Sequence, residues 1–165
     1  MSMMGPEQLG RLMDDHAAAL MLYARQWCAS PEDVVQEAFV KLAAQRTAPT
    51  EVVAWLYRVV RNGSLSAARA EQRRRHHEAR AAVAPIWFVP SEGDGLDAET
   101  ATRALQALPL EQREVLVARL WGGLTFEQIA RLTGQSASAA HRHYHAGLSA
   151  LRERLRVPCP DRSKG

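Results

Sequence analysis

With 165 residues, 47% of them hydrophobic but only 6% aromatic, the chain has material for one domain or two small ones with modest, mainly aliphatic cores. A formal charge of +3, carried almost wholly by arginine, permits a polyanionic partner without demanding one. Cys28 and Cys159 lie far apart, match no zinc spacing and follow no secretory leader, which argues against a disulfide framework and for a reducing cytoplasm. Every long apolar run is broken by Arg, Asp or His well short of membrane length.

From Pro6 to Trp27, the residues Leu9, Leu12, Met13, Leu20, Tyr23, Ala24 and Trp27 recur with a helical period, so the spacing predicts an amphipathic helix with these side chains inward. Ser30 is placed to cap a second helix, Pro31 suits its first position, and Glu32 and Asp33 complement the positive end of its dipole. Val34, Val35, Ala38, Phe39 and Leu42 form its inner stripe, which leaves Asp33, Gln36, Glu37 and Val40 outward. A valine among acidic and amide groups fits either a solvated face with one stray apolar residue or a docking surface for a basic partner.

Pro49 ends helical geometry in the connector Gln45 to Thr50, and a third helix follows. Val52, Leu56, Val59, Val60, Gly63 and Ala67 face inward, while Arg58, Arg61, Asn62, Arg69 and Gln72 line the other side and Arg73, Arg74 and Arg75 extend the charge. Such a stripe follows a phosphate backbone or is simply a solvated basic face. From His76 to Gly95 the periodicity fails among Pro85, Pro90, Gly93 and Gly95, as in an interdomain linker, with Trp87 and Phe88 available to pin it onto a domain.

A fourth helix is expected from Asp97 to Leu108, and a fifth from Pro109 to the Gly122 and Gly123 pair, with Val115, Leu116 and Leu120 closing over what comes next. Leu124 to Leu155 reads as a helix-turn-helix. Thr125 and Gln128 have capping-box spacing, Ile129 and Leu132 supply a buried edge, Gly134 permits a left-handed turn and Ser136 caps the next helix. Ala140, Tyr144, Gly147, Leu148, Leu151 and Leu155 form that helix's inward stripe. Ser138, His141, Arg142 and His145 project from the opposite face near its start, where a recognition helix meets base edges and phosphates. The tail after Arg156 is expected to fray, and no segment has a strand pattern. The expected architecture is all-α, with two small helical domains, 6–75 and 97–156, joined by a flexible linker, 76–96, the second domain a helix-turn-helix.

Three blocks in this order resemble the sigma-70 family of bacterial RNA polymerase sigma factors, in its short extracytoplasmic-function, two-domain class. EDVVQEAFVKL (Glu32 to Leu42) is similar to the family's acidic, glutamine-bearing helix, and AWLYRVVRNGSLSAARAEQRRR (Ala54 to Arg75) to its promoter-melting helix; Ala107 to Leu155 is similar to its second DNA-binding domain. The resemblance implies a non-enzymatic, cytoplasmic initiation factor with no cofactor and no membrane contact. Its first partner is core RNA polymerase, with Asp33, Gln36, Glu37 and Val40 on the clamp helices of the largest subunit. Its second is promoter DNA. Arg58, Arg61, Asn62, Arg69 and Arg73 would hold the melted non-template strand of the minus-10 element, and Ser136, Ser138, His141, Arg142 and His145 the minus-35 duplex. An anti-sigma protein is a further partner the family allows. The sequence departs from many relatives at Gln135, where an aliphatic is usual, at Ala140, where a larger aliphatic is, and at His141, where a basic residue is; promoter sequence therefore does not transfer from a relative.

Two other readings exist. A stand-alone helix-turn-helix regulator explains Leu124 to Leu155 but gives the acidic and arginine-lined helices no joint purpose. A metal protein or enzyme is suggested by His76, His77 and the His141 to His145 run, yet no carboxylate or cysteine completes a ligand set, and no paired carboxylate, nucleophile motif or phosphate loop is present. No catalytic residue and no metal ligand is assigned.

Overall fold

In a computed structural model, residues 3–76, 87–88 and 98–156 are described, and they contain seven helices and no strand. α1 (Pro6–Ala24), α2 (Pro31–Ala43) and α3 (Val52–Arg75) pack on one another as a first group, and α4 (Ala98–Gln106), α5 (Leu110–Leu120), α6 (Phe126–Thr133) and α7 (Ala137–Arg154) form a second. The expected linker and tail lie mostly outside the described residues.

Local chemistry accounts for most boundaries. Thr125 Oγ1 accepts from the Gln128 amide at 3.1 Å while Gln128 Oε1 accepts from the Thr125 amide at 2.9 Å, so α6 starts on a closed capping box. Gly134 ends it at φ 73°, and Ser136 Oγ accepts from the Ala139 amide at 3.1 Å to start α7. Ser30 behaves differently from expectation. Its backbone (φ −118°, ψ 63°) leaves the extended geometry that aims a cap oxygen at the first turn, and its side chain makes no cap bond. α2 begins instead on Pro31, whose ring fixes the helical φ, with Glu32 and Asp33 at the positive end of the dipole.

The apolar faces meet in one continuous core. Leu20, Tyr23, Leu42, Leu56, Tyr57 and Val60 fill it in the first group, Leu105, Val115, Leu116, Leu124, Ile129 and Ala140 in the second. α5 is the exception to the amphipathic rule, because Glu114, Val115, Leu116, Val117 and Ala118 are all buried in succession. α7 covers one side of it and α1, from the other group, covers a second. Two expected core residues sit at the rim. Met13 is 42% exposed because the burial of α1 is concentrated at its C-terminal end, Leu20 to Ala24, two turns further on. Leu120 is 47% exposed because it lies where α5 runs out toward the Gly122–Gly123 turn.

Gly134→Ala is expected to cost about 1–2 kcal/mol, since an L side chain is strained in the left-handed region, and to lower Tm by roughly 2–8 °C. Gly10→Ala, in open space within α1, is expected to be neutral or slightly stabilising. Thermal melts followed by circular dichroism check both, and equal Tm values for the two variants refute the strained-turn account.

Candidate docking and nucleic-acid interfaces

α2 turns Asp33, Gln36, Glu37 and Val40 to solvent, as its periodicity predicts, and Val40 is 61% exposed. Glu37 pairs with Lys41 at 3.0 Å along the same face. Beside it an open cleft runs between α2 and α3, lined by Asp33, Glu37, Asn62, Ser66 and Arg74 among others. Asn62 therefore opens onto this mixed-charge cleft, which Arg74 and Arg75 also line, rather than onto the groove of Arg69 and Arg73.

The other four α3 positions also separate. Arg69 and Arg73 line a shallow groove with Ser66, Gln72 and His76, which presents two cations one helical turn apart to solvent. Arg58 is exposed further upstream. Arg61 is not free: its Nε donates to Glu114 Oε1 of α5 at 2.6 Å, and its guanidinium lies 6.0 Å from the Trp27 ring.

On α7, Ser138, His141, Arg142 and His145 are exposed together, whereas the Ser136 oxygen is occupied by its own cap bond. The histidines form a unit. Their Nε2 atoms lie 3.0 Å apart, and the His141 ring meets the edge of Phe126 at 5.1 Å. Phe126 is in turn held by Tyr144 at 5.6 Å and by the Arg119 guanidinium at 4.8 Å, so a packed aromatic cluster fixes the reading face from behind. Among the described residues no three His, Cys, Asp or Glu side chains are grouped to hold a metal, and no helix is long and apolar enough to cross a membrane.

The seam between the two groups is the feature that sequence reasoning missed. Glu114 is buried, and its Oε1 accepts from both Tyr23 Oη at 2.7 Å and Arg61 Nε at 2.6 Å. Burial opposes the Arg61 charge, but the hydrogen bond and charge of Glu114 outweigh it and hold its pKa above the ordinary arginine value. Burial, with the adjacent Glu114 charge, pushes the Tyr23 phenol well up, so it remains a donor. Nearby, Gly122 lies so close to the Tyr57 ring that an added Cβ would fall 2.6 Å from the hydroxyl. Trp87 is buried alongside: its amide donates to Thr102 at 3.0 Å, its carbonyl accepts from Arg25 at 2.6 Å, and Arg113 stacks on its ring at 5.4 Å. One available signal was the unbroken apolar run after Glu114, which a one-sided helix does not need.

At the rim, Glu51 accepts from Gln128 at 3.2 Å and Arg131 at 2.9 Å, both on α6, and these bonds hold its carboxyl below the ordinary value of 4.5. A depressed folded-state pKa stabilises above the unfolded value and loses that contribution as pH falls through the folded one. Wild type is therefore expected to be more heat-stable than Glu51→Gln at pH 6, with the difference shrinking as pH drops below about 4.5. Melts across that range check this, and a difference independent of pH refutes it.

Comparison with known proteins bears on these surfaces. The profile of sigma-70 region 2 matches residues 12–74 and that of sigma-70 region 4 matches residues 98–151. The chain is 31% identical over 131 residues to the RNA polymerase sigma factor CarQ of Myxococcus xanthus, an alignment that covers 75% of this chain and 74% of that protein. The fold is shared with the sigma factor RpoE from Bartonella quintana, solved in complex with the anti-sigma factor NepR, at a TM-score of 0.73 and 21% identity over 90% of this chain and 96% of that one. It is shared also with CnrH in complex with the cytosolic domain of CnrY, at a TM-score of 0.56 and 21% identity over 92% and 89% of the two chains.

Proposed function

Since the chain belongs to the sigma-70 family and is a sigma factor directing transcription initiation, we propose how its residues divide that work. The helical group 6–75 docks on core RNA polymerase and holds the melted minus-10 strand; the group 97–156 reads the minus-35 duplex, with 76–96 as the connection. The observation that carries this division is the joint exposure of three separate surfaces: the α2 face, the Arg69 and Arg73 groove, and the His141, Arg142 and His145 face.

Each surface suits its role chemically. Asp33, Gln36 and Glu37 offer acceptors to a basic partner, and the exposed Val40 supplies the apolar contact that a solvated face does not need. Arg58, Arg69 and Arg73 lie free for phosphates, with Arg61 joining them once released from Glu114. Lifting a base from the stack costs a few kcal/mol, which such contacts and stacking must offset. Asn62 opens beside Asp33 and Glu37, so its reach extends to the polymerase side of the same groove. His141, Arg142 and His145 read base edges, while Ser136 acts through its cap and Ser138 at the leading turn.

The protein catalyses nothing itself on this reading; polymerase performs the chemistry, in the cytoplasm. RpoE and CnrH were each solved with a protein partner, which supports an anti-sigma protein as a partner of this chain too. A stand-alone regulator is the second reading, and it leaves the exposed Val40 face without use.

Run-off transcription with core polymerase on a genomic library tests the assignment and yields the promoter motif. Asp33→Ala is expected to weaken polymerase binding with little effect on the open-complex yield of assembled holoenzyme, and Arg73→Ala the reverse. Loss of the Arg73 contact should lower the log-log salt slope of promoter binding by about 0.7–0.9. Equal effects of both variants in both assays refute the division of labour.

A further inference from the structure

Glu114 stands in the second group, yet both of its donors, Tyr23 and Arg61, stand in the first. Its carboxylate thus keeps these two protein donors only while the two groups are together. The closed arrangement takes one of the proposed strand-binding arginines out of use, while the α2 docking face and the His141, Arg142 and His145 face stay open to solvent. We propose that Glu114 is an internal anion that locks the free protein in a docking-competent but melting-incompetent state, and that contact with core polymerase comes first and release of Arg61 second. The clause concerning Arg61 rests on the strand-binding role given above; the lock itself does not.

The seam is built to hold and also to give way. Tyr57 packs its ring on Gly122 and Tyr23 packs on Tyr57 at 5.0 Å, so the contact is shaped as well as charged. The Tyr57 hydroxyl, Gln26 Nε2 and Trp87 Nε1 nevertheless have no hydrogen-bond partner among the described residues. Each gains water when the groups part, which offsets some of the apolar surface lost. Glu51 to Arg131 and Gln128 is a second, exposed clasp, cheap to exchange for solvent.

Three measurements on the full chain test this, using wild type, Glu114→Gln and Tyr23→Phe. Small-angle scattering should give free wild type a radius of gyration near the roughly 15 Å of a compact chain this long, with a larger value in the variants. Stopped-flow mixing with core polymerase should show a bimolecular phase, unchanged by the variants, then a phase whose rate plateaus with polymerase concentration. Losing one hydrogen bond should quicken that second phase about fivefold. Circular dichroism identifies any variant that has lost helix, and Tyr23→Phe, which keeps the ring, carries the test if Glu114→Gln fails to fold. An extended free wild type, or variants unchanged in both size and second-phase rate, overturns the lock. A different result overturns only the Arg61 assignment: Arg61→Ala that opens the free chain yet gives wild-type open-complex yield.

Discussion

A carboxylate removed from water between two domains, with every identified donor on the far side, is the constraint around which this molecule closes. Desolvating an ion costs several kcal/mol, and a buried pair recovers that only with good geometry and satisfied lone pairs. Glu114 meets the condition with two donors on one oxygen, at 2.7 and 2.6 Å. Such a network adds less to net stability than the same volume of apolar contact would. What it favours is register, because this placement of α5 against α1 and α3 brings both Tyr23 and Arg61 to one carboxylate. The surrounding apolar contacts then follow: Tyr57 against Gly122, Trp87 beneath Arg113, and the unbroken burial of Val115 to Ala118 on α5.

That dependence explains what the sequence disclosed and what it withheld. Within each domain the signals are local and agree with one another. Capping chemistry at Thr125 and Ser136, the glycine at the turn, and the stripes of α2 and α7 placed those helices and their exposed faces correctly. Ser30 has the right identity and sequence position for a cap, but a cap is a backbone geometry, and the turn before Pro31 does not adopt it. Met13 has the right period on a helix whose burial is concentrated several residues later. Period fixes which way a side chain points, and only tertiary placement fixes whether something is there to cover it.

Between the domains no local rule operates. Glu114 is 91 residues from Tyr23 and 53 from Arg61, and neither separation leaves a periodic trace. Read alone, a glutamate in EQREVLVARL is an ordinary solvated residue in the first half of a helix. Its burial is implied only by the fact that Val115 to Ala118 cannot all face one neighbour. Trp87 and Phe88 carried a similar hint, being too apolar for a solvated connector, and Trp87 proves to be fastened to both sides of the seam.

The chemistry at Arg61 gives the seam a consequence beyond packing. A guanidinium recognises carboxylate and phosphate by the same planar fork, so Glu114 and a DNA phosphate compete for one group. The internal competitor is tethered, and a tether of this kind raises its effective concentration to the millimolar range. One phosphate from solution is a poor match for that. In the proposed division of labour a promoter strand succeeds because it arrives with neighbours: Arg69 and Arg73 are already exposed, and each phosphate they take would raise the local concentration of the next. Docking of polymerase on the α2 face, as proposed above, would add a second bias. On that proposal Arg61 would answer to the combined approach of strand and polymerase, and an isolated polyanion would meet the open surfaces while Glu114 still holds it.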